Sequence, residues 1–141
     1  MNRRAILAVL PLLLATSTLA APPTAVPAKP ALRPAVPALA PVQLDAALKS
    51  GKWLIVEFGG EHCIPCMQMQ PVLQDLRAVL GGKVAVHNVW IQQYPETARR
   101  FEIMVMPTQV VFNPKGEEVA RHMGYFPPAE FQKTLREKGL L

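Results

Sequence analysis

Residues 42–141 alternate between short apolar blocks and stretches rich in glycine, proline and polar residues. Blocks with apolar residues three or four positions apart predict helices, and short continuous apolar runs predict buried strands. The predicted order is helix, strand, helix, strand, helix, strand, strand, helix, over residues 42–50, 53–58, 67–80, 84–91, 95–102, 108–112, 117–123 and 127–139. The Asn-Pro-Lys-Gly sequence at residues 113–116 predicts a hairpin turn between the last two strands. This order predicts an α/β fold, with a central mixed β-sheet covered by helices on both faces.

The first 20 residues have the three parts of a secretory signal peptide. A basic segment with Arg3 and Arg4 precedes an apolar run over residues 5–15, and the mainly small residues Thr16–Ala20 follow. We expect cleavage after Ala20. An uncleaved membrane anchor stays open as an alternative, although the apolar core is shorter than the roughly 20 residues of a spanning helix. In both cases we expect the domain to lie outside the cytoplasm, which is the periplasm in a Gram-negative bacterium.

Residues 21–41 consist mainly of proline, alanine and valine, and their only charged residues are Lys29 and Arg33. Repeated prolines fix φ and remove backbone donors, so we expect neither helix nor sheet here. An extended, semi-rigid polyproline-type spacer is the prediction. The expected domain organisation is therefore a signal peptide (1–20), a Pro/Ala-rich linker (21–41) and one folded domain (42–141).

The formal net charge of +5 comes from 15 Lys and Arg residues against 10 Asp and Glu residues. Eleven of the basic residues and all ten acidic ones fall within residues 42–141, so the expected domain is nearly neutral. The sequence has no basic block interleaved with aromatic residues. This pattern excludes a nucleic-acid-binding surface.

The chain has two cysteines, Cys63 and Cys66, separated by two residues. They lie between a predicted strand and a predicted helix, which places Cys63 at the start of the helix. A helix N-terminus stabilises a thiolate, so we expect a lowered pKa for Cys63, which makes it the nucleophile and Cys66 the resolving thiol. Two thiols at this spacing can close into a disulfide and reopen, which is thiol–disulfide exchange.

A C-x-x-C pair also occurs in metal sites, haem sites and static disulfides. A structural zinc needs four ligands, and the three histidines of this chain lie far apart in sequence. Position 67 is Met instead of His, which excludes a c-type haem. A static disulfide stays open, although so short a loop constrains the unfolded chain little. A copper(I) site also stays open because thiolates suit that ion and Met67 and Met69 follow, but methionines on an apolar helix usually fill a core.

Four landmarks of the chain resemble the pattern of the thioredoxin family. They are an acid six residues before the first cysteine, a C-x-P-C motif, a proline within the following helix and a Met-Pro-Thr sequence, at Glu57, Cys63–Cys66, Pro71 and Met106–Thr108. The resemblance implies a thioredoxin-like fold over residues 42–141. It also implies a disulfide oxidoreductase that uses the Cys63–Cys66 pair and needs no metal or other cofactor.

The same resemblance assigns roles to residues around the cysteines. It implies that the bond before Pro107 is cis and that this proline packs against the disulfide. It favours Glu57 as a buried proton acceptor for Cys66, whereas strand alternation alone leaves open an acid at an edge or facing solvent. The implied client-binding residues are His62, Ile64, Pro65, Met106 and Thr108. We interpret His87, Trp90 and His122 as structural.

The chain departs from the thioredoxin pattern at two positions beside the motif. His62 stands where thioredoxins usually carry Trp, and Gly59 stands where they carry an aromatic residue. His62 either stabilises the Cys63 thiolate or is a solvated loop residue. These departures change the recognition surface, so the resemblance does not imply docking to the usual cytosolic reductase.

The two residues between the cysteines bear on the direction of exchange. Ile64 and Pro65 supply neither an imidazole nor a charge, whereas oxidising and isomerising relatives place a His beside the thiolate. This difference favours a reductant, with a disulfide oxidase or isomerase as the alternative. A reductant in an oxidising compartment must be re-reduced. We therefore expect disulfide-containing client proteins, a membrane electron-transfer protein as electron donor, and a monomeric state.

Overall fold

The computed structural model describes residues 36–141, and the predicted order of elements is confirmed. The elements are α1 (Pro41–Leu48), β1 (Trp53–Gly59), α2 (Ile64–Leu80), β2 (Val84–Trp90), α3 (Pro95–Arg100), β3 (Thr108–Phe112), β4 (Glu118–Met123) and α4 (Pro128–Glu137). A short 3-10 turn over Gly81–Lys83 links α2 to β2. The predicted hairpin joins β3 to β4, where Asn113 accepts backbone hydrogen bonds from Lys115 and Glu117 through its side-chain oxygen.

The four strands form one mixed sheet in the order β2-β1-β3-β4. β1 pairs in parallel with β2 and antiparallel with β3, and β3 pairs antiparallel with β4. β1 is thus a central strand with helices over both faces, which explains its nearly continuous apolar sequence. The C-terminal end of β1 leads directly into the loop with the two cysteines.

Each face of the sheet has its own apolar core, which confirms the prediction of helices on both faces. On one face, Ile55 of β1 packs in a cluster with residues of α2 and α4, among them Leu73 and Phe131. On the other face, Val56 and its alternate neighbours pack in a second cluster with Leu44 of α1 and residues around α3. Because side chains alternate along a strand, Glu57 shares the face of Ile55 and lies beneath α2.

The segment before α1 corrects one expectation, since residues 36–41 are not a free spacer. Val36 is buried, and Ala38 forms a parallel bridge to Asn88 at the edge of β2. Asn88 donates its backbone N–H to the Pro37 carbonyl at 2.9 Å and accepts one from Leu39 at 2.8 Å. The prolines do not prevent this pairing because the Pro37 carbonyl and the Leu39 N–H supply the bonds. Pro41 occupies the first turn of α1, where a missing N–H costs nothing.

The expected signal peptide and the linker up to residue 35 lie outside the described residues. Within residues 36–141, no helix combines the length and the apolar character needed to cross a membrane.

Candidate active site

Cys63 and Cys66 form a disulfide at the N-terminus of α2, with an S–S distance of 2.11 Å. Cys63 is the N-cap of the helix, and its sulfur accepts the backbone N–H of Cys66 at 3.3 Å. The two cysteines differ in exposure, since Cys63 is half-buried and only 1% of Cys66 is exposed. An external sulfur can therefore reach Cys63, whereas almost none of the surface of Cys66 is exposed to one.

The Met106–Pro107 bond is cis, as the sequence resemblance implied. Pro107 is buried, and Thr108 donates its hydroxyl to the carbonyl of Val105 at 2.7 Å. Thr108 pairs with Phe58 in the sheet. The Met-Pro-Thr turn therefore lies at the same end of the sheet as the loop that carries the cysteines.

The surface at this end of the sheet is apolar and exposed. Ile64 is 71% exposed and Met67 is 59% exposed, and both flank the disulfide on α2. His62 is exposed and Pro65 is half-buried. Further apolar residues with exposed or half-buried side chains precede Pro107, namely Met104, Val105 and Met106. Apolar surface of this kind is typical of a protein-docking region.

The two methionines considered as copper(I) ligands have different environments. Met69 is fully buried, and its sulfur accepts the backbone N–H of Phe126 at 3.2 Å, so it fills the core as the apolar helix pattern indicates. Met67 is exposed and is not core filler, because α2 turns it away from the sheet. Among the described residues, no group of three or more His, Cys, Asp or Glu side chains is placed to hold a metal ion.

Glu57 is completely buried, so the reading of it as an edge or solvent-facing acid is wrong. Its Oε1 accepts a hydrogen bond from Nε2 of Gln70 at 3.3 Å, and Oε2 has no hydrogen-bond partner within residues 36–141. Burial raises the pKa of Glu57 from its ordinary value of 4.5 to about 8, against the opposing effect of the Gln109 and Gln70 amides. Gln109 lies directly across from Glu57 in the sheet, although its polar atoms fall short of hydrogen-bond geometry. A carboxyl with this pKa can exchange a proton near neutral pH.

Gly59 leaves open the space between Glu57 and Cys66. A Cβ at Gly59 would lie 3.0 Å from Sγ of Cys66 and 3.1 Å from Oε1 of Glu57. Both groups therefore border one small space, and a Cβ there would require its neighbours to move by a few tenths of an ångström. Gly59, noted as a departure in the sequence, therefore places no side chain between the carboxyl and the thiol.

Three amide side chains around Glu57 were missed in the sequence. Asn88 and Gln109 flank Glu57 on the two neighbouring strands, and Gln70 covers it from α2. The signal was present, because Asn88 and Gln109 interrupt two apolar strands and Gln70 follows Cys66 by one helical turn. A single polar residue in such a pattern does not reveal its partner until the helix is placed over the sheet.

Of the three residues interpreted as structural, Trp90 lines the same cavity as Cys66, whereas His87 and His122 do not. The ring of His122 on β4 stacks on Phe126 at 3.9 Å, and its Nε2 lies 3.1 Å from the Tyr125 carbonyl oxygen. His87 is half-buried on β2, and burial lowers its pKa. Trp90 ends β2 opposite Gly59 and is half-buried.

The comparisons with known proteins agree with this geometry. The family model for the thioredoxin-like domain matches residues 40–139. The thioredoxin of Alicyclobacillus acidocaldarius is 32% identical over 91 residues, which cover 64% of this chain and 86% of that protein. A thioredoxin of Staphylococcus aureus is 33% identical over 91 residues with the same coverage.

Two solved structures share the fold. The oxidised mitochondrial thioredoxin 3 of Saccharomyces cerevisiae matches with a TM-score of 0.64 and 23% identity, over 72% of this chain and 94% of that chain. The chloroplastic thioredoxin z matches with a TM-score of 0.66 and 24% identity, over 72% of this chain and 92% of that chain. Given the family match and the C-x-x-C pair at the start of α2, the chain belongs to the thioredoxin-like domain family and is a thiol–disulfide oxidoreductase.

Proposed function

We propose that this protein is exported and reduces disulfides in client proteins, with a membrane electron-transfer protein as its electron donor and a monomer as its working form. The observation that carries the proposed chemistry is the unequal environment of the two sulfurs. Cys63 lies half-buried at a helix N-terminus within exposed apolar surface, and Cys66 lies buried beside the space that it shares with Glu57. Each sulfur is thus suited to one of the two steps of a reduction.

In the first step, the Cys63 thiolate attacks one sulfur of a client disulfide. A Cys63–client disulfide forms, and the other client sulfur leaves as a thiolate and takes a proton from water. The N–H of Cys66, which donates to the Cys63 sulfur at 3.3 Å, favours the thiolate over the thiol. The exposed side chains of Ile64 and Met67 offer apolar contact to the client around the reacting sulfur.

In the second step, the Cys66 thiol gives its proton to the Glu57 carboxylate and attacks the Cys63 sulfur. The Cys63–client bond breaks, the client leaves as its second thiolate, and the Cys63–Cys66 disulfide forms. Two electrons have then passed from the protein to the client. Sγ of Cys66 and Oε1 of Glu57 both lie within 3.1 Å of one point beside Gly59, so we expect the proton to move directly or through one water.

The reductive direction is proposed from the residues between the cysteines. The thiolate is a stronger reductant when nothing nearby stabilises it further, and about 30 mV of potential corresponds to roughly 1.4 kcal/mol of such stabilisation. Ile64 and Pro65 place neither an imidazole nor a charge between the two sulfurs. His62 is exposed just before Cys63, and the contribution of its ring is tested by the same potential measurement in a His62→Ala variant.

The test combines insulin reduction, a reduction-potential measurement and a copper(I) titration on the mature protein. We expect insulin reduction by the wild type, none by Cys63→Ser, and a potential near the value of about −270 mV that is typical of thioredoxin. A potential near about −120 mV would indicate an oxidant and would refute the reductive direction. Tight copper(I) binding without insulin reduction would instead support a copper carrier.

A further inference from the structure

A chain of hydrogen bonds fixes the amide of Asn88 beneath the active site. The Val36 carbonyl oxygen can only accept, and it lies 3.2 Å from Nδ2 of Asn88. This contact determines which end of the Asn88 amide is the nitrogen. Oδ1 of Asn88 therefore faces Gln70 as an acceptor.

The amides of Asn88 and Gln70 then form a reciprocal pair. Nδ2 of Asn88 donates to Oε1 of Gln70 at 3.0 Å, and Nε2 of Gln70 donates to Oδ1 of Asn88 at 3.3 Å. One N–H of Gln70 is thus committed to Asn88. The other N–H has two acceptors within reach, namely Oε1 of Glu57 at 3.3 Å and the carbonyl oxygen of Cys66 at 3.4 Å.

We propose that Gln70 is a positioning residue that holds Glu57 for proton transfer and that its second N–H follows the charge on the carboxyl. When Glu57 is ionised, this N–H donates to Oε1, the oxygen that borders the same space as Sγ of Cys66. When Oε1 has taken the proton of Cys66, the N–H donates to the Cys66 carbonyl oxygen instead. The inference rests on the proposed role of Glu57 as proton acceptor in client release.

A cavity beside Cys66 provides the return path for the proton. It has a volume of about 240 Å³, and its lining includes Val36, Cys66, Gln70 and Asn88. Because a water occupies about 30 Å³ in the liquid, several waters fit in this volume. Gln70 thus lies between the solvent in this cavity and the buried carboxyl, and the proton that Glu57 accepts can pass to water there after the client has left.

Most of the polar groups that face Glu57 from the neighbouring elements are amides. The groups are Cys66 and Gln70 from α2, Asn88 from β2 and Gln109 from β3, and Cys66 is the titratable one among them. On the next strand the same row ends in His122, which pairs with Gln109 in the register. A substitution of Gln70 therefore changes the partner of Glu57 without removing a charge.

The variant Gln70→Met keeps the length of the side chain and removes its amide, and Gln74→Met is the matched control. Gln74 lies one turn further along α2 and makes no hydrogen bond to Glu57 in the described structure. In the reduced full-length protein, ¹³C NMR of the labelled carboxyl should show the pKa of Glu57 about one unit higher in Gln70→Met than in the control. Release of a client from its mixed disulfide should be about tenfold slower at pH 7 and should recover towards the wild-type rate above pH 9. If Gln70→Met does not fold, Gln70→Asn, which keeps an amide but loses the reach, replaces it.

An unchanged Glu57 titration in the folded variant would overturn the inference. A loss of release rate that is equal at every pH would also overturn it, because it would indicate general damage to the site. The proposed function fails in a different way, namely by a lack of insulin reduction in the wild type. The NMR titration reports on Gln70 and Glu57 whether or not the protein reduces insulin.

Discussion

The substitution Glu57→Gln should remove one pH-dependent contribution to the stability of the oxidised protein, namely the contribution of the proton on Glu57. In the folded state the pKa of Glu57 is about 8, compared with its ordinary value of 4.5. The folded protein therefore binds this proton more tightly than the unfolded chain does. The resulting stabilisation is fully present below about pH 4.5 and is lost as the pH rises through about 8.

The size of this effect follows from the two pKa values. They differ by about 3.5, and one pKa unit corresponds to about 1.4 kcal/mol, so the full cost of ionising Glu57 is on the order of 5 kcal/mol. Between about pH 5 and pH 8, the free energy of unfolding of the wild type should fall by about 1.4 kcal/mol per pH unit relative to the variant. In the variant, an amide nitrogen takes the place of Oε2, which has no partner in the described structure. An unpaired buried group costs about 1–3 kcal/mol, so at pH 5 the variant should be less stable than the wild type and at pH 8.5 more stable.

The measurement is equilibrium unfolding in urea of the oxidised wild type and variant at pH 5, 7 and 8.5. The control is Glu61→Gln, because Glu61 is an exposed acid four residues further along. The difference between Glu61→Gln and the wild type is subtracted at each pH as the effect of losing an exposed acid. If the remaining Glu57→Gln difference does not change with pH, the carboxyl is hydrated in solution, and the reasoning for its raised pKa and for its role as proton acceptor is refuted.

Three further predictions concern the sulfurs and the N-terminus. Cys66→Ser should accumulate mixed disulfides with clients on non-reducing gels, because Cys63 attacks and no thiol resolves the product; stronger trapping by Cys63→Ser would reverse the two roles. Gly59→Ala should slow client release severalfold in rapid-mixing kinetics but leave the first attack nearly unchanged, because the new methyl group would lie 3.0 Å from Sγ of Cys66; equal release rates would show that this space is not used. Intact mass of the exported protein should correspond to a chain that begins at Ala21, and a mass that includes Met1 would indicate an uncleaved anchor.

The order of helices and strands followed from apolar spacing because each element buries a face against the sheet. The exact roles within a buried strand did not follow in the same way. Alternation along β1 gave the face of Glu57 relative to Val56 and Phe58, but alternation cannot show whether that face meets solvent or a helix. The position of α2 over the sheet decides this, and it buries Glu57 completely.

The residues before position 42 show a second limit of the sequence. Their proline content indicated a spacer, yet Val36 is buried and its carbonyl oxygen accepts from Asn88. Proline lacks a donor but retains a carbonyl oxygen, and an edge strand such as β2 needs only a few backbone groups from its neighbour. Composition alone therefore places the start of the folded domain too late in the chain.

The polar side chains that the sheet itself places beneath α2 at the active site lie in one row. The residues in register across the four strands are Asn88, Glu57, Gln109 and His122, and the row two residues further from the site is Val86, Ile55, Val111 and Ala120. Cys66 is fixed by the start of α2, so a proton acceptor on β1 has to lie among the last residues of that strand on the α2 face. Position 57 meets this condition, and Gly59 on the same face leaves the space open.

Burial raises the pKa of Glu57, and its amide neighbours limit the rise. A cation beside Glu57 would favour the carboxylate and lower its pKa, which would weaken it as a base. A wholly apolar surrounding would raise its pKa further and leave an even smaller fraction of the acid ionised near neutral pH. Gln70 and Gln109 lower the pKa without a positive charge, and the balance with burial holds it at about 8. Burial of Glu57 therefore has two effects. It destabilises the folded protein at high pH, and it gives the carboxyl a pKa at which it can exchange a proton with Cys66 near neutral pH.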